Sequence, residues 1–152
     1  MTSYETIFQR FESKIEDLAP EEIGVQGWHE MEKEYLNTAL GMIELDDLYF
    51  YNDNDTKNTF SDRDDEIEEF GRDLSNKEIE ILSLYMVVAW YEPKVNSLEH
   101  TLMYYGSKDE KWTSQKDHLK VISDKQQEYL RRARSYYSHN AGRNNPYLNG
   151  VL

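Results

Sequence analysis

The stretch EILSLYMVVAWYEPKV, residues 80–95, restricts this chain more than any other. From Ile81 to Tyr91 only Ser83 is plainly polar, and Glu92-Pro93 then closes the run. A helix that is apolar on every side has to be surrounded, whether by lipid, by other helices, or by a core on one side and a second subunit on the other. Lipid fails on length, because a spanning helix needs about 20 apolar residues and this run has 11. The run is therefore expected to be the central helix of a bundle. Ile79, Leu82, Met86 and Ala89 form one stripe, and Ile81, Leu84 or Tyr85, and Val88 a second.

The rest of the chain offers helices to cover it. Tyr4, Ile7, Phe8, Phe11 and Ile15 recur at helical spacing over residues 3–17, with Thr2 or Ser3 as cap and Pro20 beyond the end. A second helix is expected over about 28–45, its stripe formed by Trp28, Met31, Tyr35, Ala39 (or Leu36, Leu40) and Ile43. Ser75 with Glu78 makes a capping box that opens the central helix, and Pro93 is expected to stop it. A short helix over 97–105 ends at Gly106. The last begins near Thr113 or Ser114 and runs to about His139, with Leu119, Ile122, Gln126, Tyr129, Ala133 and Tyr136 facing inward. No strand pattern is expected. The fold class is all-α, a small bundle of about four main helices with a long acidic loop and an extended C-terminal tail. The domain covers residues 1–140, the acidic loop lies at 46–73, and the tail spans 141–152.

Charge is distributed unevenly along this plan. The chain of 152 residues carries a formal charge of −13, which disfavours general binding to nucleic acid, since phosphate is neutralised by Lys and Arg. Residues 46–73 hold eleven acids against Lys57, Arg63 and Arg72, the pattern of a solvated loop. Tyr49, Phe50, Tyr51 and Phe60 in the same segment are unsuited to open water, so part of it should pack or bind. Residues 111–152 hold eight Lys or Arg against three acids, so the C-terminal end is basic. No cysteine is present, which excludes disulfides, thiolate zinc sites and a Cys nucleophile. The opening MTSYETIFQRFESK lacks the basic and apolar regions of a signal peptide, and none is expected.

Catalytic and metal patterns are missing. A di-metal bundle site needs Glu-x-x-His, but the residues three before His29, His100, His118 and His139 are Gln26, Ser97, Gln115 and Tyr136. Asp53-Asn54-Asp55 suggests a calcium loop, yet Lys57 and Asn58 stand where an oxygen ligand and a glycine are required. No glycine-rich phosphate loop occurs and no nucleophile sits in a recognisable turn. The chain is read as a non-enzyme without metal or cofactor. Arg131, Arg132 and Arg134 beside Tyr136 and Tyr137 form a basic, aromatic helix end. It suits either nucleic acid or an acidic surface, and the overall charge favours the latter.

Taken in order, FQRFESKIED, YLNTAL, DDEIEEFGRDLSNKEIEILSLYMVVAWYEPKVNSLEH and WTSQKDHLKVISDKQQEYLRRARSYY resemble the head–tail connector (adaptor, or neck ring) proteins of tailed bacteriophages. The likeness is strongest from Phe70 to Tyr137. It rests on Asp73-Leu74 before a Glu-rich helix start, Met86 to Trp90 followed by Pro93, and Ser114-Gln115 opening the last helix. The loop at about 49–60 and the tail after Asn140 depart from it.

The resemblance implies a structural virion protein, assembled in the host bacterial cytoplasm and located in the neck between capsid and tail. It would form a homo-oligomeric ring, usually of about twelve copies, beneath the portal protein and join it to a head-closure or tail protein. Double-stranded DNA would pass through the ring without specific binding, and no membrane would be involved. On that reading Asp53, Asp55, Asp62, Asp64, Asp65 and Glu66 face the DNA channel or a partner. Tyr85, Trp90, Arg131, Arg132 and Arg134 serve the subunit interface. Arg143, Pro146, Tyr147, Leu148, Val151 and Leu152 dock the tail on the portal. The alternative is an acidic DNA mimic that inhibits a host DNA-binding protein, although a mimic should spread its acids along a helix face.

Overall fold

A computed structural model describes residues 1–15, 24–45, 50–51, 57–58, 60, 62–103 and 110–142. Among these described residues are four helices: α1 (Tyr4–Glu12), α2 (Gly24–Leu45), α3 (Asn76–Leu102) and α4 (Glu110–Gly142). The chain is an all-α bundle, and α3 is its axis, because α1, α2 and α4 all pack against it. Every residue from Ile81 to Trp90 is buried, including Ser83, whose hydroxyl donates to the Glu80 carbonyl at 2.7 Å. A helix apolar on every side gains stability only from neighbours that cover all of it. The capping box forms as its sequence predicts: Glu78 N donates to Ser75 Oγ and Ser75 N to Glu78 Oε1, each at 3.2 Å.

Pro93 does not stop this helix. It lies inside α3, which continues to Leu102 and takes in residues 97–102 of the separate helix expected over 97–105; its expected end at Gly106 lies outside the described residues. Proline removes the donor for the carbonyl four residues back and normally costs about 3 kcal/mol in a helix interior. Here its ring is exposed, and the turn before it is braced from α4. The buried Gln126 Nε2 donates to Val88 O at 3.2 Å and to Glu92 Oε2 at 2.6 Å. Burial of Val95 beyond the proline gives the continuation its own hold on the bundle.

The other helices differ slightly from their sequence-based bounds. α1 ends at Glu12, with Ser13 as C-cap and Ile15 still buried, and α2 begins four residues early, at Gly24. Ser3 occupies the N-cap of α1 without a side-chain cap bond, while Thr2 Oγ1 instead accepts from Leu74 N at 2.8 Å. Tyr4, Ile7, Phe8 and Phe11 face a core shared with Leu36, Ala39, Leu40 and Ile43 of α2. Helix α4 runs to Gly142, so Ala141 and Gly142 belong to the helix rather than to the tail. Of its expected inner face, Gln126 and Ala133 are buried and Tyr129 is half-buried, but Tyr136 is 44% exposed. Helices α3 and α4 run antiparallel, Tyr91 meeting Tyr129 at 6.0 Å between ring centres.

The acidic segment holds strands, contrary to expectation. Antiparallel pairs join β1 (Phe50–Tyr51) to β2 (Lys57–Asn58), and β3 (Arg63–Asp64) to β4 (Glu69–Phe70). The second pair is fastened to the N-terminus. Ser3 bridges Glu69, Phe70 N donates to Thr2 O at 2.9 Å, and Tyr4 N donates to Glu68 O at 2.8 Å. As expected, an aromatic of this segment packs: Phe60 is buried edge-on to Phe70 at 6.0 Å, and Phe70 meets Tyr4 at 5.2 Å.

Candidate functional site

Two surfaces of opposite charge stand out, and each is built by elements that hold it in place. The first is the β3–β4 hairpin. Asp64 Oδ1 accepts from Glu66 N at 2.9 Å, closing a turn in which Glu68 adopts φ +57°, a conformation disfavoured for residues with a side chain. Glu68 is held there from α2: His29 Nε2 lies 2.7 Å and Lys33 Nζ 3.4 Å from its carboxylate. From α1, Tyr4 Oη donates to Asp65 Oδ1 at 2.5 Å. Burial, followed by this bond to a carboxylate, pushes the Tyr4 hydroxyl far above its ordinary pKa, so it remains a donor. At the edge of the hairpin Gly71 N donates to Asp62 O at 2.8 Å, and a Cβ on Gly71 would collide with the Asp62 carboxylate. Asp62, Asp64, Asp65 and Glu66 are thus exposed acids on a fixed frame rather than on a free loop. At the turn Ile67 is 64% exposed among them.

The second surface is a groove of about 760 Å³ between the C-terminal half of α3 and α4. Its floor is aromatic. Trp90 meets Tyr91 edge-on at 4.9 Å, and Tyr91 leads to Tyr129. Cations lie over these rings, Lys94 Nζ 4.4 Å from the Trp90 centre and the Arg132 guanidinium 5.3 Å from that of Tyr129. Lys125 and Lys14 also line the groove, with Glu128 the one acid among its described lining residues. Lys14 is shared with the core, since its Nζ lies 2.6 Å from Glu80, which Arg10 also meets at 2.9 Å. Burial pushes the Glu80 carboxyl up, but the two cations outweigh it and hold the group below its ordinary pKa.

Between α1 and α2 sits a buried carboxyl outside every expected site. Glu32 of α2 is 3% exposed and faces Glu12 of α1, which also accepts from Trp28 Nε1 at 3.2 Å. Burial first, then the hydrogen bond and charge of Glu12, push the Glu32 pKa up to about 8. Glu32 therefore carries its proton at neutral pH and donates it toward Glu12. One signal was legible: Glu32 falls four residues after Trp28 and four before Leu36, on the apolar stripe itself.

The other expected site residues are placed as follows. Tyr85, expected at the subunit interface, is fully buried within its own chain, where it lines a small cavity beside Gln126 and Leu130 of α4. Trp90 is also largely covered, reaching the surface only at the groove. Arg131, Arg132 and Arg134 are exposed along α4. Asp53, Asp55, Arg143, Pro146, Tyr147, Leu148, Val151 and Leu152 lie outside the described residues. No cluster of metal-binding side chains occurs among the described residues, and none of their helices is long and apolar enough to cross a membrane. The groove itself was not anticipated. Its sequence signal is Lys94 four residues after Trp90, a spacing that stacks a cation on a ring one helical turn away.

Comparison of the chain with family models, curated proteins and solved structures returns no match.

Proposed function

We propose that this chain is a head–tail connector of a tailed bacteriophage: a structural ring subunit beneath the portal that links the capsid to head-closure or tail proteins and lines the path of the DNA. The observation that carries the reading is the segregation of charge on one bundle. An acidic hairpin is mounted on α1 and α2, and a basic, aromatic surface is built by α3 and α4. A closed ring of identical subunits needs two different, complementary surfaces on each copy, and this arrangement supplies them. The acidic balance further suits a channel through which DNA moves without adhering. The sequence resemblance from Phe70 to Tyr137 points the same way. The tail, with Tyr147, Leu148, Val151 and Leu152 as apolar anchors, is proposed to dock on the portal.

The test is cryo-electron microscopy of the neck of virions of the phage encoding the chain, with mass spectrometry of the purified particles. The chain is expected as a ring between portal and tail. Its absence from particles, together with recovery of a host DNA-binding enzyme on the tagged protein, would instead establish the DNA-mimic reading.

A further inference from the structure

We infer that the α3–α4 groove receives the Asp64–Ile67 turn of the β3–β4 hairpin from a second copy of this chain. The inference deepens the ring reading and rests on it only for closure of the contact into a ring. Three observations carry it. The groove pairs apolar and aromatic surface (Trp90, Tyr91, Val121, Tyr129) with the cations Lys94 and Lys125. A matching ligand is therefore an acidic segment with an apolar tip. The hairpin turn is such a segment, presenting Asp64, Asp65 and Glu66 around an isoleucine that is 64% exposed. Val121, in the groove wall, is itself 52% exposed, so both partners leave aliphatic surface in water that the contact would bury.

Geometry adds direction. The hairpin is fixed by Tyr4, His29 and Lys33, on α1 and α2, whereas the groove is built by α3 and α4, with Lys14 at its margin. Two different surfaces meeting make a head-to-tail contact, which propagates into a ring or a filament rather than closing as a two-fold dimer. Little must be ordered on binding, since the turn is already closed by Asp64 and braced through Glu68. Nucleic acid is the weaker occupant, because a phosphate backbone has no aliphatic group to cover the exposed Val121 in the groove wall.

The chain has no cysteine, which makes a cross-link test clean. Full-length Ile67→Cys and Val121→Cys proteins, mixed up to millimolar concentration under mild oxidation, are expected to form a mixed disulfide in excess of either homotypic product. Sedimentation at low salt reads the charges. Glu66→Lys or Lys125→Glu alone should weaken self-association about tenfold or more, and the double variant should recover most of the loss. Circular dichroism confirms that each variant is folded. The inference is overturned if the mixed disulfide does not exceed the homotypic background. It is equally overturned if the double variant gains nothing over the singles, or if Val121→Cys couples to Tyr147→Cys in preference to Ile67→Cys. Binding of an oligonucleotide that depends on Lys94 and Lys125, with Ile67→Ala having no effect on self-association, would also overturn it. Failure here with the protein still present in the phage neck removes this contact and leaves the connector reading standing. Success with the protein absent from virions does the reverse.

Discussion

Helices α3 and α4 are neighbours of comparable length, 27 and 33 residues, yet they do opposite work. Helix α3 buries an unbroken run of ten residues from Ile81 to Trp90, whereas α4, among its described side chains, buries only Gln126 and Ala133. One helix is enclosed by the fold and the other is laid against it. The lesson is that the stability of this subunit is concentrated in α3, while α4 spends most of its length as surface. A long, lightly buried helix with a cation-rich face can serve partners at little risk to the core.

Substitutions can break or sharpen that contrast. The largest effect is expected for Leu82→Ala in α3, which empties a fully buried site and should cost about 2–5 kcal/mol in urea unfolding. A loss well below that range would mean α3 is less enclosed than described. Next comes Glu32→Gln in α2, which packs against α3. Unfolded, this carboxyl releases its proton near 4.5; folded, it holds it to about 8. Unfolding therefore releases a proton in that window, and stability falls as pH rises from about 4.5 to 8, by on the order of a few kcal/mol, then levels off. Glu32→Gln should flatten that slope and raise the melting temperature at pH 8; an unchanged slope would show that Glu32 does not carry the proton. Gln126→Ala, which removes the polar tie between the two helices, is expected to cost about 0.5–1.5 kcal/mol, since Glu92 is exposed to water and Val88 O stays within the helix. The smallest effect belongs to α4 alone: Val121→Ser, at an exposed position, should stay within about 0.5 kcal/mol of the parent in the same assay.

Local pattern was enough wherever one residue's role depended on its near neighbours. The apolar run of α3, its Ser75–Glu78 box and the stripes of α1 and α2 are all written at spacings of three and four, and the bundle follows. Pattern misled where a distant partner decided the outcome. Pro93 read as a terminus from its local effect alone; Val95 beyond it is buried, and α4, more than 30 residues on, supplies Gln126 to Val88 and Glu92 in the preceding turn. Tyr85 reads as an interface residue only through the implied ring; in the fold it is enclosed, with Gln126, Leu130 and Arg134 of α4 beside it. The acids from Asp62 to Glu69 read as solvated loop because charge density was the local signal.

Of the candidate site, the acids and the arginines could be named from sequence, but their setting could not. The hairpin depends on Tyr4 reaching Asp65 across 61 residues and His29 reaching Glu68 across 39. The groove exists only once Trp90 and Tyr91 of α3 lie beside Tyr129 of α4. By itself, then, the sequence determined an all-α bundle around one enclosed helix, because hydrophobic periodicity is a local property and burial follows from it. Only the tertiary structure decided that the acids form a braced hairpin, that Pro93 is passed, and that Glu32 is held protonated. Each of these needs groups far apart in the chain to meet, and no local spacing encodes that meeting.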